Sequence, residues 1–166
     1  VELILISSCL LGQPVRYDGK GARSRHPLIL RWLAEQRLVP LCPEMSGGLP
    51  TPRPAAEISG GQGEQVLNGS ASVISTNQQD FSREFVAGAE LALKKCQKQN
   101  IKLAILKARS PSCGSQSTYD GNFSGQLVSG QGVTSALLRS HGIKVYDEEM
   151  LLQAESYLAE LERNSR

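Results

Sequence analysis

Four short apolar runs, separated by stretches of helical period, constrain this chain more than anything else in it. They fall at residues 3–6, 38–42, 101–107 and 143–147. Runs of this length suit strands buried on both faces and are too short for helices. Between them, residues 26–37 have helical spacing, with Leu28, Leu30, Trp32 and Leu33 as the expected apolar face and Pro27 in the first turn. Residues 80–99 place Phe81, Phe85, Ala89, Ala92 and Cys96 on one helical stripe, with Asp80 or Ser82 suited to its start and Asn100 to its end. A short helix is predicted within 130–142 and a last amphipathic one over 148–162. Residues 70–76 add another strand, Asp120-Gly121 is a hairpin signal, and the proline-rich 47–54 reads as a shaped loop. Strands alternating with helices predict an α/β class: a Rossmann-like three-layer fold around a mainly parallel sheet. The 166 residues suit one domain, 1–166.

The net charge of +2 gives no footprint for polymeric nucleic acid. The first residues, "VELILISSCLLG", have no basic start, and their apolar run is too short to span a membrane. The expected location is therefore cytoplasmic, where thiols stay reduced. The four cysteines then suggest metal, cluster or catalytic roles before disulfides.

Cys9, Cys42 and Cys113 each end or follow a predicted strand. Parallel strands share a carboxyl edge, where α/β proteins hold ligands, so the three thiols can meet there. Cys96 instead lies on an apolar helix face, as an inert core thiol would. Structural zinc takes four ligands from closely spaced pairs, and no such pair exists here. A cubane iron–sulfur cluster usually takes four cysteines, so three would leave one iron open. The three also fit small residues filling loops. A phosphatase of the low-molecular-weight type would need Arg at position 15 after a nucleophilic Cys9, but Val15 stands there and Arg16 is one place late. A non-enzymatic iron–sulfur redox sensor is a further alternative.

Four segments, "SSCLLGQPVRYDG", "LCPEMSGGLPTPRPAAEI", "LKARSPSCGS" and "GQGVTSALL", resemble in order the motifs of the thiouracil desulfidase family. The resemblance implies a [4Fe–4S] cluster held by Cys9, Cys42 and Cys113, with one iron not ligated by protein. It places the family's catalytic acidic residue on Glu44 and its catalytic serine on Ser110; from the sequence itself, Asp18 and Glu57 are further carboxylates that could substitute for Glu44. The implied reaction turns the thiocarbonyl of thiouracil or 4-thiouridine monophosphate into a carbonyl and releases hydrogen sulfide. Relatives acting on thiolated tRNA carry an added domain; none follows Arg166 here, so a free base or nucleotide is the expected substrate. Arg16, Arg23, Arg25 and Arg53 are expected as solvated loop charges. The glycines of 130–132 precede a helix whose free N–H groups attract phosphate, so Gly130, Gly132, Thr134 and Ser135 are expected to bind it, with Arg23 adding charge.

Overall fold

Strand β1, Ile4–Ser7, is buried along its whole length and pairs in parallel on both sides. Its neighbours are β2, Leu38–Leu41, and β5, Leu103–Ile105; β8, Lys144–Tyr146, extends the sheet beyond β5. The order β2-β1-β5-β8 is wholly parallel. Pro40 is tolerated because β2 is an edge strand, where a missing N–H costs no ladder bond. The computed structural model describes residues 1–165.

Side chains alternate across the sheet, and each face acquires its own core. Ile4, Ile6, Leu103 and Ile105 pack with Ile29 and Trp32 of α1, Pro27–Ala34, and with Leu151, Ala154 and Leu158 of α6, Leu151–Asn164. Leu5, Ala104 and Val145 pack with Ala92 and Cys96 of α4, Ser82–Gln99, and with Leu138 of α5, Val133–Ser140. The mainly parallel three-layer expectation therefore stands. The expected α1 face needs correction. Leu28, Ile29 and Trp32 are buried, whereas Leu30 and Leu33 are exposed. An eight-residue helix packed on one side buries only a narrow stripe.

The C-terminal end of α4 follows the sequence reading, whereas its N-cap position is Phe81, which makes no side-chain cap bond. Asp80 Oδ1 accepts from the Ser82 amide at 2.8 Å, and Asn100 takes the left-handed conformation at the other end. Two elements lie outside the parallel sheet. The predicted strand at 70–76 appears as β4, Ser72–Ser75, paired antiparallel with β3, Ala56–Ser59. Its partner was not legible, because β3 buries only one apolar side chain, Ile58. The hairpin signal at Asp120-Gly121 joins β6, Ser117–Tyr119, to β7, Leu127–Ser129. A third short helix, α3, Gly63–Asn68, links β3 to β4. Among the described residues no helix is long and apolar enough to cross a membrane.

One close approach sets the position of the residues after β2. They form a single turn, α2, Pro43–Ser46, whose backbone lies directly on α4. A Cβ built on Gly88 would fall 1.9 Å from the Pro43 carbonyl oxygen, and one on Gly47 would fall 1.9 Å from that of Glu84. Gly88→Ala raises intrinsic helix propensity by about 0.5–1 kcal/mol, yet here it must push α2 away. The expected result is a lower melting temperature and a net loss of about 1–3 kcal/mol in denaturant unfolding. An unchanged or higher midpoint would mean that α2 moves freely.

Candidate active site

β1 sends the chain to β2 on one side, while β5 lies on the other, so the topology switches at the middle of the sheet. Such a point leaves a crevice at the strands' carboxyl ends. Here it is a cavity of about 500 Å³, within the usual size range for small-molecule sites. Cys9 enters it from a 3₁₀ turn, Ser8–Leu11, directly after β1. Cys42 enters between β2 and α2, and Cys113 from the Ser/Pro loop after β5. Cys9 and Cys113 are buried and Cys42 half-buried; all three are free thiols.

The thiols sense one another. Burial, reinforced by Cys42, pushes Cys9 up to about 11. Burial also raises Cys42. Cys113 is raised most by burial and further by Cys42 and Cys9, against the Ser7 hydroxyl, which donates to its sulfur at 3.4 Å. Three thiols at least half-buried, whose negative charges would repel one another, suit a cationic group between them, which reverses that logic and draws off the protons. No three His, Cys, Asp or Glu side chains among the described residues could hold a single metal ion. Thiolates spread over several metal atoms fit this arrangement better than a mononuclear site does, and sulfur ligands select soft metals and iron–sulfur clusters. Cys96 lies in the core on α4, raised to about 11 by burial alone, and does not line the cavity.

Glu44 stands on the first turn of α2, at the cavity wall. Its Oε1 accepts from Arg53 Nε at 3.1 Å, and its Oε2 accepts from the Ser110 hydroxyl at 3.4 Å. Ser110 Oγ in turn accepts from the Ser112 and Cys113 amides, each at 3.1 Å. With both lone pairs occupied, the hydroxyl has only its proton to offer. Arg53 is not the solvated charge expected from its loop. Its side chain is 3% exposed. Beyond Glu44 it donates to the Pro50 and Val15 carbonyls and to Thr51 Oγ1. The sequence signal that could have exposed it is a lone cation between Pro52 and Pro54, inside a loop too shaped to be mere surface.

The expected phosphate site at α5 is overturned. The Val133 amide donates to the Pro111 carbonyl, the Thr134 and Ser135 amides to that of Ser112, and the Gly132 amide to that of Gly114. Thr134 Oγ1 meets Ser112 Oγ at 2.8 Å, and Ser135 Oγ donates to the Cys113 carbonyl at 2.8 Å. The helix start thus holds the loop that carries Ser110 and Cys113, and its donors are spent there. Gly132 permits this approach, since a Cβ would lie 2.5 Å from Ser112 backbone atoms; Gly130 is pressed on Gln62. Arg23 is exposed, packs beside Gly12 and does not reach the cavity. Asp18 is exposed and accepts from the Lys20 amide, also away from it. Glu57 and Arg16 do line the wall. The phosphatase alternative loses its basis too. The Gly12, Gln13 and Val15 amides after Cys9 are tied to nearby carbonyls, so no phosphate cradle is open. A thiol raised to about 11 is also a poor nucleophile.

The profile of the 2-thiouracil desulfurase family matches residues 4–150. The uncharacterized protein YbbK of Bacillus subtilis (strain 168) is 44% identical over 149 residues, spanning 90% of this chain and 97% of that protein. The solved structure of TudS, a [4Fe–4S]-dependent thiouracil desulfidase, superposes with a TM-score of 0.87 at 46% identity, covering 96% of this chain and 99% of that one.

The three cavity thiols and the core thiol separate cleanly in one experiment. Cys9→Ala, Cys42→Ala and Cys113→Ala should each lose iron after anaerobic reconstitution with iron and sulfide, while Cys96→Ala keeps it. Iron and acid-labile sulfide counts, with the visible absorption band, are the measurement. Iron lost from Cys96→Ala but kept by Cys9→Ala would contradict the assignment.

Proposed function

The chain belongs to the 2-thiouracil desulfurase family, and on that premise we propose that it is a [4Fe–4S]-dependent desulfidase of a thiopyrimidine base or nucleotide. Water replaces the sulfur of the thiocarbonyl, giving a carbonyl and hydrogen sulfide with no net change of oxidation state. The observation that carries the reading is the meeting, on the walls of one cavity, of three thiols with a carboxylate and a hydroxyl already hydrogen-bonded to each other. A redox sensor has no use for that second pair.

Cys9, Cys42 and Cys113 would hold the cluster, leaving one iron without a protein ligand. The bound cluster supplies a Lewis acid for the thiocarbonyl sulfur. Glu44 accepts the proton of the attacking water as general base. Arg53, gripping Oε1, leaves Oε2 as the oxygen that faces Ser110 and the reacting groups. Ser110, with two amides on its oxygen, directs its proton outward; its 3.4 Å bond to Glu44 is long enough for a substrate atom to take over. For a nucleotide, the phosphate falls to Arg16 and not to α5. Of the other cations of the wall, Arg53 is paired with Glu44, and Lys107 and Arg109 are paired with Glu148 and Glu149 at 2.7 and 2.8 Å. Arg16 has no ion pair among the described residues.

Reconstituted protein supplied with thiouracil should form sulfide and uracil in equal amounts without added reductant; a stable red-ox response with no sulfide would favour the sensor. Glu44→Gln should retain iron and the visible band but lose about 10²–10⁴-fold in kcat. A loss below about tenfold, at equal iron content, would remove Glu44 as the base. Comparing kcat/KM for 4-thiouridine monophosphate, 4-thiouridine and thiouracil, in wild type and Arg16→Ala, reads the phosphate. The nucleotide should be favoured about tenfold, and that preference should vanish without Arg16.

A further inference from the structure

We propose that Glu57 recognises the N3–H of the pyrimidine ring and so selects substrates that carry a proton on the nitrogen beside the thiocarbonyl. The inference rests on the desulfidase reading above. Glu57 lies on β3 and forms part of the cavity wall. Its Oε1 is fully engaged, accepting from the Gly121 amide at 2.9 Å and the Phe123 amide at 3.2 Å. No hydrogen bond or ion pair among the described residues reaches its Oε2. An ionised carboxylate only accepts, so a free oxygen on the wall calls for a ligand donor.

Apart from Arg16, the cation assigned to a phosphate, the other charged groups of the wall are already committed. Glu44 has Arg53 on one oxygen and Ser110 on the other. Lys107 and Arg109 face their own carboxylates. Glu57 is therefore the carboxylate left to read a neutral N–H. It is also held rigidly. Gly121 has φ +90°, and a Cβ there would lie 2.4 Å from the Ile58 carbonyl oxygen, so the turn that donates to Oε1 is pressed onto β3. A carboxylate fixed in advance selects by geometry as well as charge.

The candidate ligands narrow the donor to one atom. In a 2-thiopyrimidine both ring N–H groups flank the thiocarbonyl, whereas in a 4-thiopyrimidine only N3–H does. A ribosyl group removes the proton from N1. N3–H is thus the one donor beside the thiocarbonyl in every form, base or nucleotide. A hydrogen bond from it to a charged oxygen is strong enough to discriminate.

Glu57→Gln separates recognition from support. Its side-chain carbonyl can still accept from the two amides, while its amide nitrogen presents a donor where Oε2 presented an acceptor. The test compares kcat/KM for 4-thiouracil and 3-methyl-4-thiouracil in reconstituted wild type and Glu57→Gln. Dissociation constants for uracil and 3-methyluracil are measured by calorimetry on the same samples, with iron content and melting temperature. Wild type should favour the unmethylated compound by about tenfold or more, ~1.4 kcal/mol, chiefly through KM. Glu57→Gln should lose about tenfold on 4-thiouracil and treat the two compounds alike, at unchanged iron content. Should Glu57→Gln lose iron or melt early, Glu57→Ala is read by the same ratio. A ratio that persists in the variant means that the methyl group is excluded by bulk, and overturns the proposal; so does a wild type that does not discriminate. If no thiopyrimidine is turned over, the desulfidase reading falls, and the uracil to 3-methyluracil binding ratio still decides Glu57 in the same way.

Discussion

Parallel pairing on both sides of β1 is the constraint on which the site depends. Because β2, β1 and β5 are neighbours running the same way, three loops separated widely in sequence open at one edge. Cys9 and Cys113 are buried in the cores on the sheet's two faces, and Cys42 is half-buried beside them. Their shared burial makes them costly to ionise alone and receptive to a positively charged group. The cavity follows from the same topology, since the chain leaves β1 in one direction and returns beside it from the other.

Precision at this edge comes from backbone groups and buried charge. The start of α5 turns its unpaired amides onto the carbonyls of Pro111 and Ser112, so two sets of otherwise unsatisfied groups resolve each other. That contact fixes Ser110 and Cys113 together. Beside it, Arg53 is buried and ties Glu44, the 50–51 turn and the Val15 loop into one unit. A buried guanidinium tolerates few arrangements, because removing one partner of such a pair typically costs about 3–5 kcal/mol. Glu44 is held by this charge from one side and by the glycine contact between α2 and α4 from the other.

The proposed desulfidase function gives roles to the thiols and to the Glu44–Ser110 pair, and less directly to the second layer. The β3–β4 ribbon and the β6–β7 hairpin contribute no thiol. They close the cavity and bring Glu57 and Tyr119 to its wall. In the proposed reaction the parallel sheet would supply the reaction centre, and the two antiparallel ribbons the surface that contacts the substrate.

By itself the sequence determined the parallel α/β layering, the long α4 with its Asn100 end, and the placement of three cysteines just past strand ends. These are local matters: hydrophobic period, caps and turn residues act over a few neighbours and leave their pattern in order along the chain. Tertiary structure alone decided that Gly132 and the start of α5 serve the Ser110–Cys113 loop, that Arg53 is buried against Glu44, and that residues 72–75 pair antiparallel with 56–59. A helix start offers the same free amides to a phosphate or to a carbonyl, and an arginine in a loop bears the same charge in water or under it. Which partner each finds depends on residues far away in sequence, and no local pattern records that distance.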